Sequence, residues 1–355
     1  MVNIIAEAGT NHNGNINLAL KLVDVAKNSG ADFIKFQIIK PESLYVPYYW
    51  EGDKKIKSLV FEQRKKERLT NDEWQKVYNY CKRKGIAFTA SVFDIEGVDF
   101  LKQLNVPFIK LASSDLNNKT LIQYIAKQKI PLIISSGMAS LNEVKKSIDA
   151  FCEYNSISQI KVLHCVSVYP CELQKTSLNK IKLFKNELNC DIGFSDHTLN
   201  SKAACIATSM GVSFIEKHFT LNKEMDGFDH KYASNPEEFK EYVKDIRSTE
   251  KSLTNTHNTY SAELVTKVRA RRGVYLNKPL KKGIILSKGD LVSLRPSNKI
   301  NPFEMDKLIG LQLGEDVKEF ESIKLVNKKI FPDTHSNWKA ASDYWKQEMI
   351  EKKMI

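Results

Sequence analysis

A chain of 355 residues can bury a large core, and with 42% hydrophobic residues it reads as globular. No apolar run is long enough to span a bilayer, which excludes a helical membrane protein. The net charge of +12 lacks any zinc-finger, RNA-recognition or helix-turn-helix pattern, so nucleic acid is set aside and an anionic small substrate is kept. The local basic clusters, Lys54–Lys57, Arg64–Arg68 and Arg269–Arg272, read as solvated surface. The six cysteines, Cys81, Cys152, Cys165, Cys171, Cys190 and Cys205, have no CxxC spacing. They read as reduced thiols of a cytoplasmic protein, with Cys165 a small buried residue within a strand. The chain enters a strand at once, so no signal peptide is expected.

Eight β-branched apolar segments follow in chain order, and nearly all end in a polar or ionisable residue. Glu7 closes NIIAE, Lys35 and Gln37 close DFIKFQ, and Ser91 closes AFTAS. Lys110 and Ser113 close FIKLAS, and Ser135 and Ser136 close PLIISS. His164 and Ser167 lie in IKVLHCVS, Asp196 and His197 follow IGFS, and Glu216 and His218 lie in FIEKHFT. The intervals carry helical periodicity, as in 17–28, 71–84, 96–104, 120–127, 141–154, 175–189, 201–210 and 236–251. Ser234 is the expected cap of the last helix, with Pro236 in its first turn. Strand alternating with helix, eight times, predicts a parallel (β/α)8 barrel with its site at the strand C-termini; such a barrel takes about 250 residues. The charged stretch between Ile38 and Leu69 is long for a connection and reads as a candidate lid.

The pattern changes after Lys251. Residues 252–271 are expected to form a linker, with a polar run Ser252–Asn258 and a short helical arm from Tyr260 to Lys267. Residues 272–330 read as a small β-rich module of short strands, with turns at Lys282-Gly283 and Lys288-Gly289. Residues 331–355, with Trp338, Tyr344 and Trp345 among charges, read as a docking helix or a tail.

His197 and His218 fall at neighbouring strand ends. Adjacent strands lie about 4.8 Å apart, so two imidazoles there can share one ion at roughly 2.0–2.2 Å. Two protein ligands leave positions open for water and substrate, as a Lewis-acid role requires. The alternative is a pair of hydrogen-bonded core histidines. Residues two apart share a strand face, which groups Lys35 with Gln37 and Glu216 with His218. Inward Lys35 and Lys110 can form a Schiff base or bind phosphate or carboxylate as cations. With Ser91, Ser113, Ser135, Ser136 and Ser195 they make an anion cage, although any one of these serines could be a satisfied strand-end hydroxyl. Glu7, the lone carboxylate of the first segment, could bind sugar hydroxyls, act as a base or ligate metal. His12, in the Asn11-His12-Asn13-Gly14 turn, reads as a residue that shapes its loop.

The runs IIAEAGTNHNGN, GADFIKFQ, KLASSDLNN, ISSGM, LHCVSVYP, GFSDHT and IEKHFT resemble the successive motifs of the sialic acid synthase family. KPLKKGIILSKGDLVSLRP resembles its C-terminal antifreeze-like (SAF) domain. The resemblance spans residues 4 to 330. It implies a TIM barrel, an SAF cap and a domain-swapped homodimer in which each cap covers the partner's barrel. The implied reaction condenses phosphoenolpyruvate with a 2-acylamino sugar in its open-chain aldehyde form, giving a nine-carbon 2-keto acid and phosphate. Carried over by residue, the divalent metal (manganese in the family, with magnesium or cobalt as alternatives) falls on His197 and His218. Phosphoenolpyruvate contacts fall on Lys35, Ser91, Lys110, Ser113, Ser135 and Ser195, with Gln37, Ser167 and Tyr169 in the same pocket. Glu7 and Asp229 would hold acceptor hydroxyls, Glu7 or its alternative role being proton transfer. Arg295 would reach the acceptor in the other subunit. The sequence departs from the family at Ser114-Asp115, Ser167 and Phe228, all near the acceptor, and at Lys318-Glu319-Phe320 in the module. Competing readings are a lysine Schiff-base aldolase, a deoxy-octulosonate-type synthase and a carbohydrate-binding barrel without activity.

Overall fold

The computed structural model describes residues 1–254, 261–333 and 338–352. The chain divides into two compact units, residues 1–254 and 255–355.

The first unit is a closed barrel of eight parallel strands: β1 (Asn3–Gly9), β2 (Phe33–Ile38), β3 (Ala87–Val92), β4 (Ile109–Leu111), β5 (Leu132–Ser135), β6 (Ile160–Cys165), β7 (Asp191–Asp196) and β8 (Phe214–His218). Each strand pairs with the next, and β8 closes on β1 with Glu7 opposite His218. Helices cover the crossovers, among them Ile16–Asn28, Asn71–Lys84 and Leu141–Cys152, and Pro236–Ser252 follows β8. A ring of side chains such as Leu22, Val77, Leu101, Ile125, Phe151 and Ile246 fills the space between strands and helices. Several helices start on reciprocal caps: Thr70 with Glu73, Ser140 with Glu143, and Asn235 with Glu238.

Local structure departs from expectation where side-chain chemistry overrides the apolar pattern. The last barrel helix is capped by Asn235 and not Ser234. The Asn235 side chain accepts from the Glu238 N–H at 2.9 Å, while the Ser234 N–H is already given to the His218 carbonyl. The expected helix over 175–189 is shorter, Asn179–Glu187, because Ser177 takes a left-handed conformation (φ 51°) after a 3-10 turn at Leu173–Lys175. The stretch after β2 is ordered into a short helix Pro41–Leu44, an exposed hairpin Tyr48–Glu51/Lys54–Lys57, and a helix Leu59–Lys66. Among the described residues no helix is long and apolar enough to cross a membrane.

In the second unit Gly273–Leu276 pairs antiparallel with Leu291–Leu294, and Gln312–Leu313, Ile323–Val326 and Lys329–Pro332 form a three-stranded sheet. Val274, Leu276, Leu308, Leu313, Ile323 and Ile330 make its core. The last strand runs to Pro332, so the module extends slightly past residue 330. The expected linker is in part helical, Ser261–Ala270, while residues 255–260, with Tyr260, lie outside the described residues. The C-terminal segment contains a helix, Trp338–Glu351, on which the Arg269 guanidinium lies 4.2 Å over the Tyr344 ring and 3.6 Å from Glu348.

Candidate active site

The strand C-termini enclose a cavity of about 350 Å³. Strand alternation decides what enters it. Glu7, Lys35, Lys110, Ser135, Ser195 and Glu216 face the interior and are all buried. The intervening residues face the helices. Lys217, next to Glu216, reaches Asp196 at 3.8 Å, and the Tyr242 hydroxyl donates to Asp196 at 2.9 Å. This outward contact ties β7 to β8 behind the site.

Four charges meet on the cavity floor. Lys35 Nζ lies 2.6 Å from Glu7 Oε2 and 3.7 Å from Glu216 Oε2, and it donates to Ser91 Oγ at 3.1 Å. Lys110 Nζ donates to Ser135 Oγ at 2.6 Å and to the Leu111 carbonyl at 3.0 Å, and lies 4.0 Å from Glu216. Ser195 Oγ donates to Glu216 Oε1 at 3.0 Å, and Gln37 Nε2 to Glu7 Oε1 at 2.9 Å. Two carboxylates and two ammoniums cancel one another, which is the condition for keeping ions in a dry site. Burial pushes against the Lys35 charge, but Glu216 and Glu7 outweigh it and hold the ammonium above its ordinary range. Burial wins at Lys110, aided by the neighbouring Lys35, so its pKa is lowered. Burial would raise the Glu216 carboxyl, yet Lys110 and Lys35 hold it down at about 2. Glu216 Oε2 has no hydrogen-bond partner. A phosphate or carboxylate entering here meets two cations whose counter-ions are already positioned.

Above the floor, His197 and His218 have ring centroids 5.8 Å apart. His197 Nδ1 is 2.7 Å from the Val166 carbonyl, which fixes the N–H on Nδ1 and turns the Nε2 lone pair to the cavity. Burial, then the neighbouring His218, lowers its pKa to about 3, so it is neutral, as a ligand must be. His218 Nδ1 is buried without a hydrogen-bond partner, 3.6 Å from Asp229. The donor set therefore suits one divalent ion. Among the described residues no third His, Cys, Asp or Glu completes a cluster, so the remaining positions would fall to water or substrate. Tyr169 covers the pair with its ring 4.1 Å from His197, and Tyr232 packs against Tyr169 and donates to Asp229.

The structure brings the sequence-expected barrel residues into one place. Glu7, Lys35, Gln37, Ser91, Lys110 and Ser113 line the cavity on one side, and Ser135, Ser167, Tyr169, Ser195, His197 and His218 on the other. Asp229 sits at its edge through His218 and Tyr232. Arg295 lies in the second unit, exposed, just after the strand Leu291–Leu294. Ser136 does not belong to the anion cage. It is one residue out of phase with Ser135, and its hydroxyl donates to the Leu163 carbonyl at 3.1 Å. His164, also out of phase, is a core residue bonded to the Thr176 carbonyl. His12 packs edge-on to Trp74 inside its loop. Cys165 is buried as expected but lines the cavity, with Sγ 3.2 Å from Ser113 Oγ. Sequence reasoning grouped Glu216 with His218 on one strand face and gave it no role. Its contacts to β2, β4 and β7 make it the hub of the floor. Gly137 was unremarked, yet a Cβ there would lie 2.1 Å from Ser167 Oγ and 2.7 Å from Ser113 Oγ.

Fold and cavity together define a parallel-barrel enzyme with a site for a small anion at its strand C-termini. Residues 22–258 match the NeuB family, and the chain belongs to it: it is a synthase of the sialic and related nonulosonic acid group. It is 38% identical over 320 residues to N,N'-diacetyllegionaminic acid synthase of Legionella pneumophila, covering 88% of this chain and 90% of the relative. It is 32% identical over 330 residues to pseudaminic acid synthase of Campylobacter jejuni, covering 90% and 95%. The crystal structure of an N-acetylneuraminic acid synthetase from Leptospira borgpetersenii, in complex with citrate, matches with a TM-score of 0.65 at 30% identity, covering 74% of this chain and 89% of that one.

Proposed function

We propose that this synthase condenses phosphoenolpyruvate with an open-chain acylamino hexose, giving a nine-carbon 2-keto acid and phosphate. The observation that carries the reading is the neutral quartet on the floor, in which Lys35 and Lys110 are held between Glu7 and Glu216 and flanked by serine hydroxyls. The two lysines, with Ser91, Ser113, Ser135 and Ser195, bind the phosphate and carboxylate. Glu7, from the floor, and Asp229, at the rim, hold acceptor hydroxyls. A divalent ion on His197 and His218, manganese or else magnesium or cobalt, supplies Lewis acidity at the aldehyde oxygen when bound. The vinyl carbon attacks the aldehyde carbon, water adds at the resulting cationic C2, and phosphate leaves by C–O cleavage. The lysines offset the negative charge of phosphate and carboxylate throughout.

Lys35 and Lys110 are the cations lining the cavity, and both are used on phosphoenolpyruvate. That favours an unphosphorylated acceptor, N-acetylmannosamine or a diacetamido trideoxy hexose. The relatives named for legionaminic and pseudaminic acid favour the diacetamido trideoxy hexose. Residues 272–330 of the second unit are assigned as an SAF domain, and the active form as a domain-swapped homodimer in which Arg295 of one subunit contacts the acceptor in the other. The reaction is placed in the cytoplasm.

Phosphate release measured across a panel of acylamino hexoses tests the reading directly. A heavy-oxygen label at the bridging position of phosphoenolpyruvate should leave with phosphate, and chelation should abolish turnover until a divalent ion is returned. Label retained in the keto acid would mean P–O cleavage and contradict the mechanism, and a borohydride-trapped adduct on Lys35 or Lys110 would transfer the assignment to an aldolase. Mixed Arg295→Ala and Lys35→Ala subunits should complement if the small domain is swapped.

A further inference from the structure

Asp229 reaches the rim of the cavity from the loop between β8 and the last barrel helix, and the loop is held from outside. Its carboxylate lies 3.6 Å from His218 Nδ1 and accepts from Tyr232. It also closes on the end of β1, where a Cβ on Gly9 would meet Asp229 Oδ2 at 3.0 Å and Gln37 and Glu7 at 3.5 Å. Asn13 pins the loop at two points, donating to the Asp226 carbonyl at 2.8 Å and meeting His230 Nε2 at 3.2 Å. Between these pins Phe228 points the other way, and its ring lies against the Arg64 guanidinium, with Cζ 4.1 Å from the centroid.

Arg64 comes from the helix Leu59–Lys66, in the insertion after β2. It donates to Thr10 Oγ1 at 2.8 Å and to Glu67 Oε2 at 2.7 Å. Arg64 is only 9% exposed and Glu67 5%. Glu67 neutralises the buried guanidinium. Its planar face is left for the aromatic ring, an arrangement a lysine cannot reproduce with the same donors. One side chain thus joins the loops that follow β1, β2 and β8.

We propose that Arg64 is a positioning residue for acceptor binding: by clasping Phe228 it holds Asp229 over the cavity. This rests on the reading of Asp229 as an acceptor contact. The floor lysines lie on strands and do not depend on the clasp, so the effect is confined to one substrate.

Steady-state kinetics on the full-length enzyme, combined with amide exchange, test it. Arg64→Met and Phe228→Leu should raise KM for the acylamino hexose about five- to thirtyfold, the range of a partly desolvated cation–π contact, with kcat and KM for phosphoenolpyruvate within about twofold. Phe228→Tyr keeps the aromatic face and should stay near wild type, and Arg64→Lys should recover only part. Amide exchange over residues 222–233 should quicken in Arg64→Met. An acceptor KM unchanged in both variants overturns the proposal, as does an equal rise for both substrates, which would mark a purely structural arginine. Wild-type enzyme that releases no phosphate with any acylamino hexose sinks the proposed reaction. Unchanged exchange in Arg64→Met sinks the clasp whichever reaction runs.

Discussion

Two layers of the barrel interior lie two residues apart along the same strands and share almost no chemistry. The lower layer is Ile5, Phe33, Phe108, Ile133, Leu163 and Phe214, a cluster of its own in which Phe33 and Phe108 meet edge-on at 5.1 Å. Two residues further along, the same strands present Glu7, Lys35, Lys110, Ser135, Cys165 and Glu216. Gly193 belongs to the lower layer because a Cβ there would meet Leu163 at 2.3 Å, and Ser195 follows it above. The apolar layer keeps water from beneath the charges. With little solvent to screen them, each ion must be answered by another ion or a hydroxyl, which is the arrangement found. Rigidity below and charge above are thus separate duties of one strand.

Separate duties should be separable by mutation. The largest effect expected is on turnover: Lys110→Met should cut kcat/KM for phosphoenolpyruvate by about a thousandfold, the scale of a lost preorganised charge contact, with a moderate fall in Tm as Glu216, short of one counter-ion, takes up a proton. Phosphate release and a thermal melt on the same sample check it, and a collapse of Tm would mean that the upper layer also carries the fold. Phe108→Ala reverses the pattern. It should cost about 3–5 kcal/mol of stability, on the order of 10 °C in Tm, with KM for phosphoenolpyruvate close to wild type at low temperature. Gly137→Ala is more local. Its methyl group would displace Ser113 and Ser167, so KM for phosphoenolpyruvate should rise about ten- to a hundredfold with a near-native Tm.

The smallest effect distinguishes paired charge from a lone buried titratable group. Burial pushes the His12 pKa down to about 4, with Glu73 opposing and Arg64 adding to the fall. A folded pKa below the unfolded one means that stability is full above about pH 6.5 and is lost as pH drops towards 4. Denaturant melts at pH 7 and pH 4.5 should therefore differ less in His12→Gln than in wild type. An unchanged pH dependence would assign the acid sensitivity elsewhere.

Much of this was legible in the sequence. A strand has a strict period of two, so once Glu7, Lys35 and Lys110 are seen to end apolar runs, their inward direction follows. The same period applied to β5 excludes Ser136, which the count of hydroxyls alone had admitted. The role of Glu216 was not legible, because it depends on β8 lying with only β1 between it and β2, and across the barrel from β4. Ser177 delayed the start of its helix to Asn179 through a backbone angle that no apolar periodicity encodes.

Alternation and composition, which act within a few residues, determined the barrel, the inward set of charged and hydroxyl side chains, and the two histidines at one rim. Tertiary structure alone decided the fate of the charged run around Arg64. In sequence it reads as solvated surface. In the fold Arg64 and Glu67 are buried, and Arg64 rests on Phe228, a residue more than 160 positions away. Charge in a sequence marks exposure only until a partner excludes the water, and partners brought together by loop closure leave no local pattern to read.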